Sequence, residues 1–231
     1  MSHSVRKVSE LSKTDIDQLF ELFETAFQAD RQGFETDLAE KSEILCLHED
    51  DRLQAFSTLT SYSPEPGVRV LFSGDTFVCP KARGGHRLPL LWAQHVFGSM
   101  MTNDQERLYW LLLCSGFRTY RILPTFFHRF APGVQSEPNL LKHRDQWARL
   151  IFQDRFSGGV VVPKWATPLR DPHPPIRLQN DPDVMFFQRV NPRHAEGDEL
   201  VCLVPLEFEN LRPAGLRLAQ KRSSPTSSLS S

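Results

Sequence analysis

Several things are scarce in this sequence of 231 residues. It has four cysteines, Cys46, Cys79, Cys114 and Cys202, placed singly and with no C-x-x-C pair. That scatter argues against a disulfide framework or a cysteine zinc site and fits buried free thiols in a reducing compartment. Cys114 precedes Ser115-Gly116, but no histidine lies near it in sequence to act as its base. The eight histidines include no H-x-x-x-H on a helix, so no metal is expected. The longest apolar run, Leu108 to Cys114, falls far short of the roughly 20 residues that cross a bilayer. Residues Met1 to Lys7 hold no apolar block resembling a signal peptide. Charge of one sign is missing too: 27 basic against 28 acidic residues leave −1, with no bulk pull toward nucleic acid or anionic membrane. There is no internal repeat. A soluble, cytoplasmic protein is expected.

What is present suits a globular chain, with 40% hydrophobic and 24% charged residues. At roughly 150 residues per domain the length is a domain and a half. The patterning predicts a first strand over Val5–Leu11, then a helix opened by a Ser12-x-x-Asp15 capping signature. Its apolar face is Ile16, Leu19, Phe20, Phe23 and Phe27. A short helix over Arg31–Lys41 turns Phe34 and Leu38 inward. Strands follow at Glu43–Glu49, Leu53–Tyr62 and Val68–Val78, with Ser63-Pro64-Glu65-Pro66-Gly67 as punctuation. A basic glycine turn leads to a helix from about Leu88 to Met101, and Arg107–Leu113 reads as a buried strand.

Gly116–Phe130, dense in aromatics, predicts a short helix. Arg118, Arg121, His128 and Arg129 form its basic outer face. Glu137–Phe156 suits a helix with Leu141, Trp147, Leu150 and Ile151 as its apolar members. Six prolines between 163 and 182 forbid any long regular element. Asp183–Val190 closes as a helix and Glu199–Pro205 as a strand, with Pro205 marking an edge or an end. We expect an α+β fold with a mixed, mostly antiparallel central sheet flanked by helices. One domain should cover residues 1–219, with a proline-rich insertion around 131–182 and a disordered serine-rich tail at 220–231.

The chemistry concentrates where strand Val68–Val78 meets Cys79-Pro80-Lys81-Ala82-Arg83-Gly84-Gly85-His86-Arg87-Leu88. Glycines beside a helix N-terminus, with two guanidiniums and a histidine, make a candidate pyrophosphate cradle. A plain strand-to-helix turn is the bland reading of a lone Gly-Gly.

Element order and this turn resemble the GNAT superfamily of acyl-CoA N-acyltransferases over roughly residues 5–130. That family has a helix pair after its first strand, then a three-strand meander. Its fourth strand ends in a Val-x-Pro-like turn followed by Arg/Gln-x-x-Gly-x-Gly/Ala. Here the glycines fall at Gly84 and Gly85, where the family pattern would put its small residues at His86 and Leu88, so the loop is remodelled.

The resemblance implies a GNAT-like fold whose fourth and fifth strands splay to form a thioester slot. It implies acetyl-CoA or another acyl-CoA as co-substrate and a small-molecule or peptide amine as acceptor. Phe77, Val78 and Cys79 would meet pantetheine, and Arg83, Gly84, Gly85, His86 and Arg87 would surround the phosphates. Asp75 is the candidate base or ammonium anchor, since alternation groups it with Arg69, Leu71, Ser73 and Phe77 among apolar neighbours. Tyr120 lies where the family often places an acid, with Tyr109 as second choice. Each has a structural alternative: Asp75 as a satisfied local carboxylate, Tyr120 as plain core. Two other functions stay open. One is transfer of a longer acyl chain from coenzyme A or an acyl-carrier protein, with which 17 phenylalanines against three tyrosines are compatible. The other is a non-catalytic ligand- or protein-binding module.

Overall fold

Ser12 starts the first helix as expected. Its hydroxyl accepts from the Asp15 backbone N–H at 3.2 Å, and the Asp15 carboxylate accepts the Ser12 N–H at 2.8 Å. Arg6 donates to the same carboxylate at 2.8 Å, tying the helix start to the first strand and holding Asp15 well below the usual carboxylate range. The computed structural model describes residues 2–50, 52–79, 91–93, 95–96, 106–165 and 167–220.

Among these, β1 (Ser2–Lys7) is followed by α1 (Lys13–Glu24) and α2 (Arg31–Ala39). Then come β2 (Glu43–Glu49), β3 (Arg52–Glu65), β4 (Val68–Val78) and β5 (Arg107–Cys114). Two short helices, α3 (Phe117–Tyr120) and α4 (Ile122–Phe126), precede α5 (Pro138–Phe152). The small strands β6 (Phe156–Ser157) and β7 (Val160–Val161), α6 (Pro182–Val190), β8 (Glu199–Pro205) and α7 (Pro213–Gln220) complete the order. The strands form one sheet in the order β1-β2-β3-β4-β5-β8-β7-β6. Every pair is antiparallel except β4 with β5. The α+β class is as expected, and so are the helix pair after the first strand and the meander that follows.

Several boundaries moved. The first strand lies earlier than Val5–Leu11, because its ladder to β2 runs from Ser2 opposite His48 to Lys7 opposite Glu43. Beyond Lys7 the chain coils into a 3₁₀ turn that leads to the Ser12 cap. Strand β3 runs through Pro64 to Glu65, its register shifting between Tyr62 and Glu65 so that the proline meets an irregular stretch of ladder. Pro205 marks an end and not an edge, since β8 lies between β5 and β7. On α5 the buried stripe is Leu140, Arg144, Trp147, Ala148 and Phe152. Leu141 and Ile151 flank it, but Leu150 is 60% exposed, about 200° round the helix from Ala148. Sequence periodicity missed the β6–β7 hairpin, whose strands of two residues are too short to alternate.

Among the described residues between 163 and 181, the proline-rich stretch holds a single 3₁₀ turn, Ile176–Leu178, and no longer element. Its first part straps across the end of α1: Gln28 N–H donates to Pro168 O at 2.9 Å and Arg170 N–H to Ala26 O at 2.8 Å. Trp165 of this strap lies against α2, where a Cβ on Gly33 would come within 2.6 Å of its ring, so only glycine permits the approach. No helix among the described residues is long and apolar enough to cross a membrane. The tail from 221 lies outside the described residues.

Candidate active site

Strands β4 and β5 run side by side only from Val68 opposite Arg107 to Ser73 opposite Leu112. Beyond Ser73, β4 continues on β3 alone, to Val78 opposite Ala55. The two strands therefore part at Gly74. At the same place β4 bulges: Ser73 faces Leu59 and Thr76 faces Ser57, so Thr58 opposes both Gly74 and Asp75.

The extra residue overturns the alternation expected for this strand. Asp75 shares a face with Phe72 and Phe77, and Ser73 looks to the other side with Thr76 and Val78. Asp75 is thus separated from Leu71 and Ser73. It looks instead toward α2 and the proline strap.

Three cavities meet where the strands separate, and Gly74 and Leu113 line all of them. The first, of ≈ 120 Å³, is walled by α2, the end of α5 and the strap, through Asp37, Lys41, Phe152, Arg155 and Trp165. The second, also ≈ 120 Å³, is apolar and lies on the opposite face. The third, of ≈ 240 Å³, runs between the ends of β4 and β5 past Thr76, Phe77, Val78, Ser115 and Gly116. Asp75 and Glu199 line both the first and the third.

These carboxyls sit in an unusual electrostatic setting. Loss of hydration pushes the Asp75 carboxyl up to about 8; the Asp37 charge and a hydrogen bond to Asp37 add to this, and the Lys41 ammonium opposes it. A hydrogen bond between two carboxyls requires a proton in it. Burial likewise lifts Glu199 to about 7, against the hydrogen bond that Ser115 Oγ donates to its Oε1 at 2.5 Å. Lys41, its side chain 5% exposed, donates to Asp37 Oδ2 at 2.7 Å. Desolvation weakens its charge, but Asp37 and Asp75 outweigh that and hold its pKa above the ordinary lysine value. A Cβ on Gly74 would meet Lys41 Cε at 2.7 Å, so the glycine lets the ammonium pass over the bulge.

Other expected site residues lie elsewhere. Tyr120 is 1% exposed, packs on Phe186 and Phe187, and donates its hydroxyl to Pro132 O at 3.0 Å. It is not among the residues lining the three cavities, and burial drives its pKa far above the ordinary phenol value. Tyr109 packs edge-on to Trp147 on the α5 face. Phe77 and Val78 line the slot between the strands, and Cys79 is half-buried beyond them. Arg83, Gly84, Gly85, His86 and Arg87 lie outside the described residues. The basic face near α3 and α4 is neutralised locally, by Arg118–Asp171, Arg121–Asp181 and Arg129–Glu137 pairs, over the buried rings of Phe117, Tyr120 and Phe127. No cluster of three or more metal-ligating side chains occurs among the described residues.

Sequence reasoning passed over Asp37, Lys41, Ser115 and Glu199. A signal existed for the first two, an i, i+4 acid–base pair at the end of a helix whose other face is apolar. For Glu199 it was a lone carboxylate heading an otherwise apolar strand.

Neither a protein-family model nor a curated protein sequence matches the chain. Solved structures do resemble it in part. A ribosomal-protein-alanine N-acetyltransferase from Brucella melitensis is 17% identical over 48% of this chain and 79% of its own, with a TM-score of 0.36. An acyl-CoA N-acyltransferase from Pseudomonas aeruginosa is 16% identical over 48% and 77%, with a TM-score of 0.37. N-acetylglutamate synthase from Neisseria gonorrhoeae, solved with coenzyme A and N-acetyl-glutamate, is 16% identical over 62% of this chain and 32% of its own, with a TM-score of 0.38. By its own strand order, its helix pair after the first strand and its parted fourth and fifth strands, the chain has a divergent GNAT-like fold.

Proposed function

We propose that the protein transfers an acyl group from a phosphopantetheine thioester, coenzyme A in the first instance, to an amine. One observation carries this: Asp75 and Glu199 stand at the parting of β4 and β5, in the wall common to a polar cavity and a slot between the strands. The slot suits an extended pantetheine arm passing Thr76 and Ser115. The polar cavity, with Asp37, Asp75 and Glu199 around Lys41, suits an incoming ammonium group.

The amine must lose a proton before its lone pair can attack the thioester carbonyl. A carboxyl with a pKa near neutrality is matched to accept that proton, and Asp75 is in place to do so. The C–N bond forms, the C–S bond breaks, and the thiolate leaves. It regains a proton from the carboxyl pair, which took one from the amine. Tyr120 takes no part in this scheme, because its hydroxyl is committed to Pro132 O in the core.

Acetyl-CoA should raise the melting temperature by mass action, and a panel of primary amines should elicit release of free thiol. Asp75→Asn should keep the thermal shift and lose thiol release. Absence of both the shift and the release in the wild-type protein overturns the proposal, and full release in Asp75→Asn removes Asp75 as the base.

A further inference from the structure

The second cavity lies behind the bulge, on the face away from Asp75. Trp92, Ala93, Trp110, Leu112, Phe126 and Leu218 make up much of its wall. Three of the hydroxyls around it are already engaged. Ser73 Oγ accepts from Trp110 Nε1 at 2.7 Å, and Ser57 and Thr76 hydroxyls bond each other at 2.8 Å. Apart from Thr119, at the side shared with the slot, what the described wall offers a ligand is therefore mainly apolar surface. The Nε1–H of Trp92 is buried and has no acceptor among the described residues. A buried donor without an acceptor is costly, and a ligand oxygen would relieve it.

The cavity is also continuous with the slot, since Gly74, Thr76, Val78, Leu113, Thr119 and Ile122 line both. A group entering from the slot at Gly74 can turn into the apolar space without crossing the acidic cluster. An acyl group matches each of these features, because it brings an apolar chain, one carbonyl oxygen and a thioester tether that starts in the slot.

Resting on the acyl-thioester function proposed above, we infer that this cavity seats the acyl chain of the donor, and that the preferred chain is about six carbons long, since cavities near 150 Å³ accept a benzene-sized apolar group. An acetyl group would leave the space unfilled. Chains much longer than the cavity would gain nothing further.

Isothermal titration with acetyl-, butanoyl-, hexanoyl- and dodecanoyl-CoA tests this on the wild-type protein. Each methylene that becomes buried should tighten binding about three- to fourfold, so hexanoyl-CoA, with four more of them, should bind on the order of 100-fold tighter than acetyl-CoA. Dodecanoyl-CoA should add nothing beyond it. Ala93→Leu, which fills the cavity, should collapse the ratio of hexanoyl to acetyl affinity toward one. Equal affinities for acetyl- and hexanoyl-CoA in the wild-type protein overturn the inference while leaving coenzyme A binding intact. Failure of every thioester to bind overturns the donor function itself, and this inference with it. Because the wild-type series is decisive alone, a poorly folding Ala93→Leu protein leaves the result readable. Hexanoyl-phosphopantetheine binding as tightly as hexanoyl-CoA assigns the donor to a carrier protein; weaker binding assigns it to coenzyme A, and both support the acyl cavity.

Discussion

The two faces of the sheet differ sharply at one point. On the α2 side of the parted strands lie the carboxyls of Asp37, Glu40, Asp75 and Glu199 and the buried Lys41 ammonium; on the α4 side lie two tryptophans, phenylalanine and leucine around a space of the same ≈ 120 Å³. Both are made by the same local event, the bulge at Gly74 and Asp75 where β5 leaves β4. Without the extra residue Asp75 would point into the apolar side and face tryptophans instead of Lys41. One inserted residue thus sorts charge from hydrocarbon across the thickness of a single sheet. A group at the junction meets a charged cavity on one side and an apolar one on the other.

Substitutions can break this division. The largest effect is expected from Asp75→Asn on the polar side, where loss of a general base lowers turnover on the order of 10²-fold or more. Chain-length preference, set on the apolar side, should stay as in wild type. A thiol-release assay across the acyl-CoA series reads both quantities at once.

Gly74→Ala attacks the junction itself. Its Cβ would meet Lys41 Cε at 2.7 Å and Thr58 Oγ1 at 3.1 Å, and Lys41 is tethered by Asp37. Overpacking of this kind costs about 1–3 kcal/mol, and a chain of this size loses about 2–4 °C of Tm per kcal/mol. Differential scanning calorimetry checks it.

A third prediction concerns pH. The Asp75 and Glu199 carboxyls titrate near 8 and 7 in the folded chain but near about 4 when unfolded, so between those values the native state holds protons the unfolded state has lost. Their contribution to stability is complete below about pH 4 and is lost as pH rises through 7 and 8. The melting temperature should therefore fall between pH 5 and 8.5, and fall less in Asp75→Asn and Glu199→Gln. A slope unchanged in both variants would show that neither carboxyl holds such a proton.

The smallest effect belongs to Ser115→Ala. Removing the hydrogen bond to Glu199 takes away what stabilises its charged form, so the pH–rate profile should move to higher pH, by a unit or less, roughly. Maximal turnover should change little.

Much of this architecture could be read before any coordinates. The limits of β4 and β8 coincide with those expected, because each is rich in β-branched and apolar residues and bounded by proline, glycine or charge. The Ser12 cap was equally plain, since the residues that form it are three apart. Tyr120 shows where local reading stops. Its place after β5 suggested an acid, but whether a tyrosine points into a cavity or a core depends on α6, more than sixty residues later, where Phe186 and Phe187 enclose it.

The carboxyls at the strand junction make the same division. Composition, periodicity and turn residues sufficed for the strands, the helix pair and the GNAT-like order, because these follow from neighbours a few residues apart. Alternation along β4 could not foresee the bulge opposite Thr58, which is set by register against β3. Nor could it bring Lys41 from the turn after α2 and Glu199 from β8 to Asp75, or lay the proline strap over them. Those are long-range contacts, and only the folded sheet decides which side chains share a face and lose their water together.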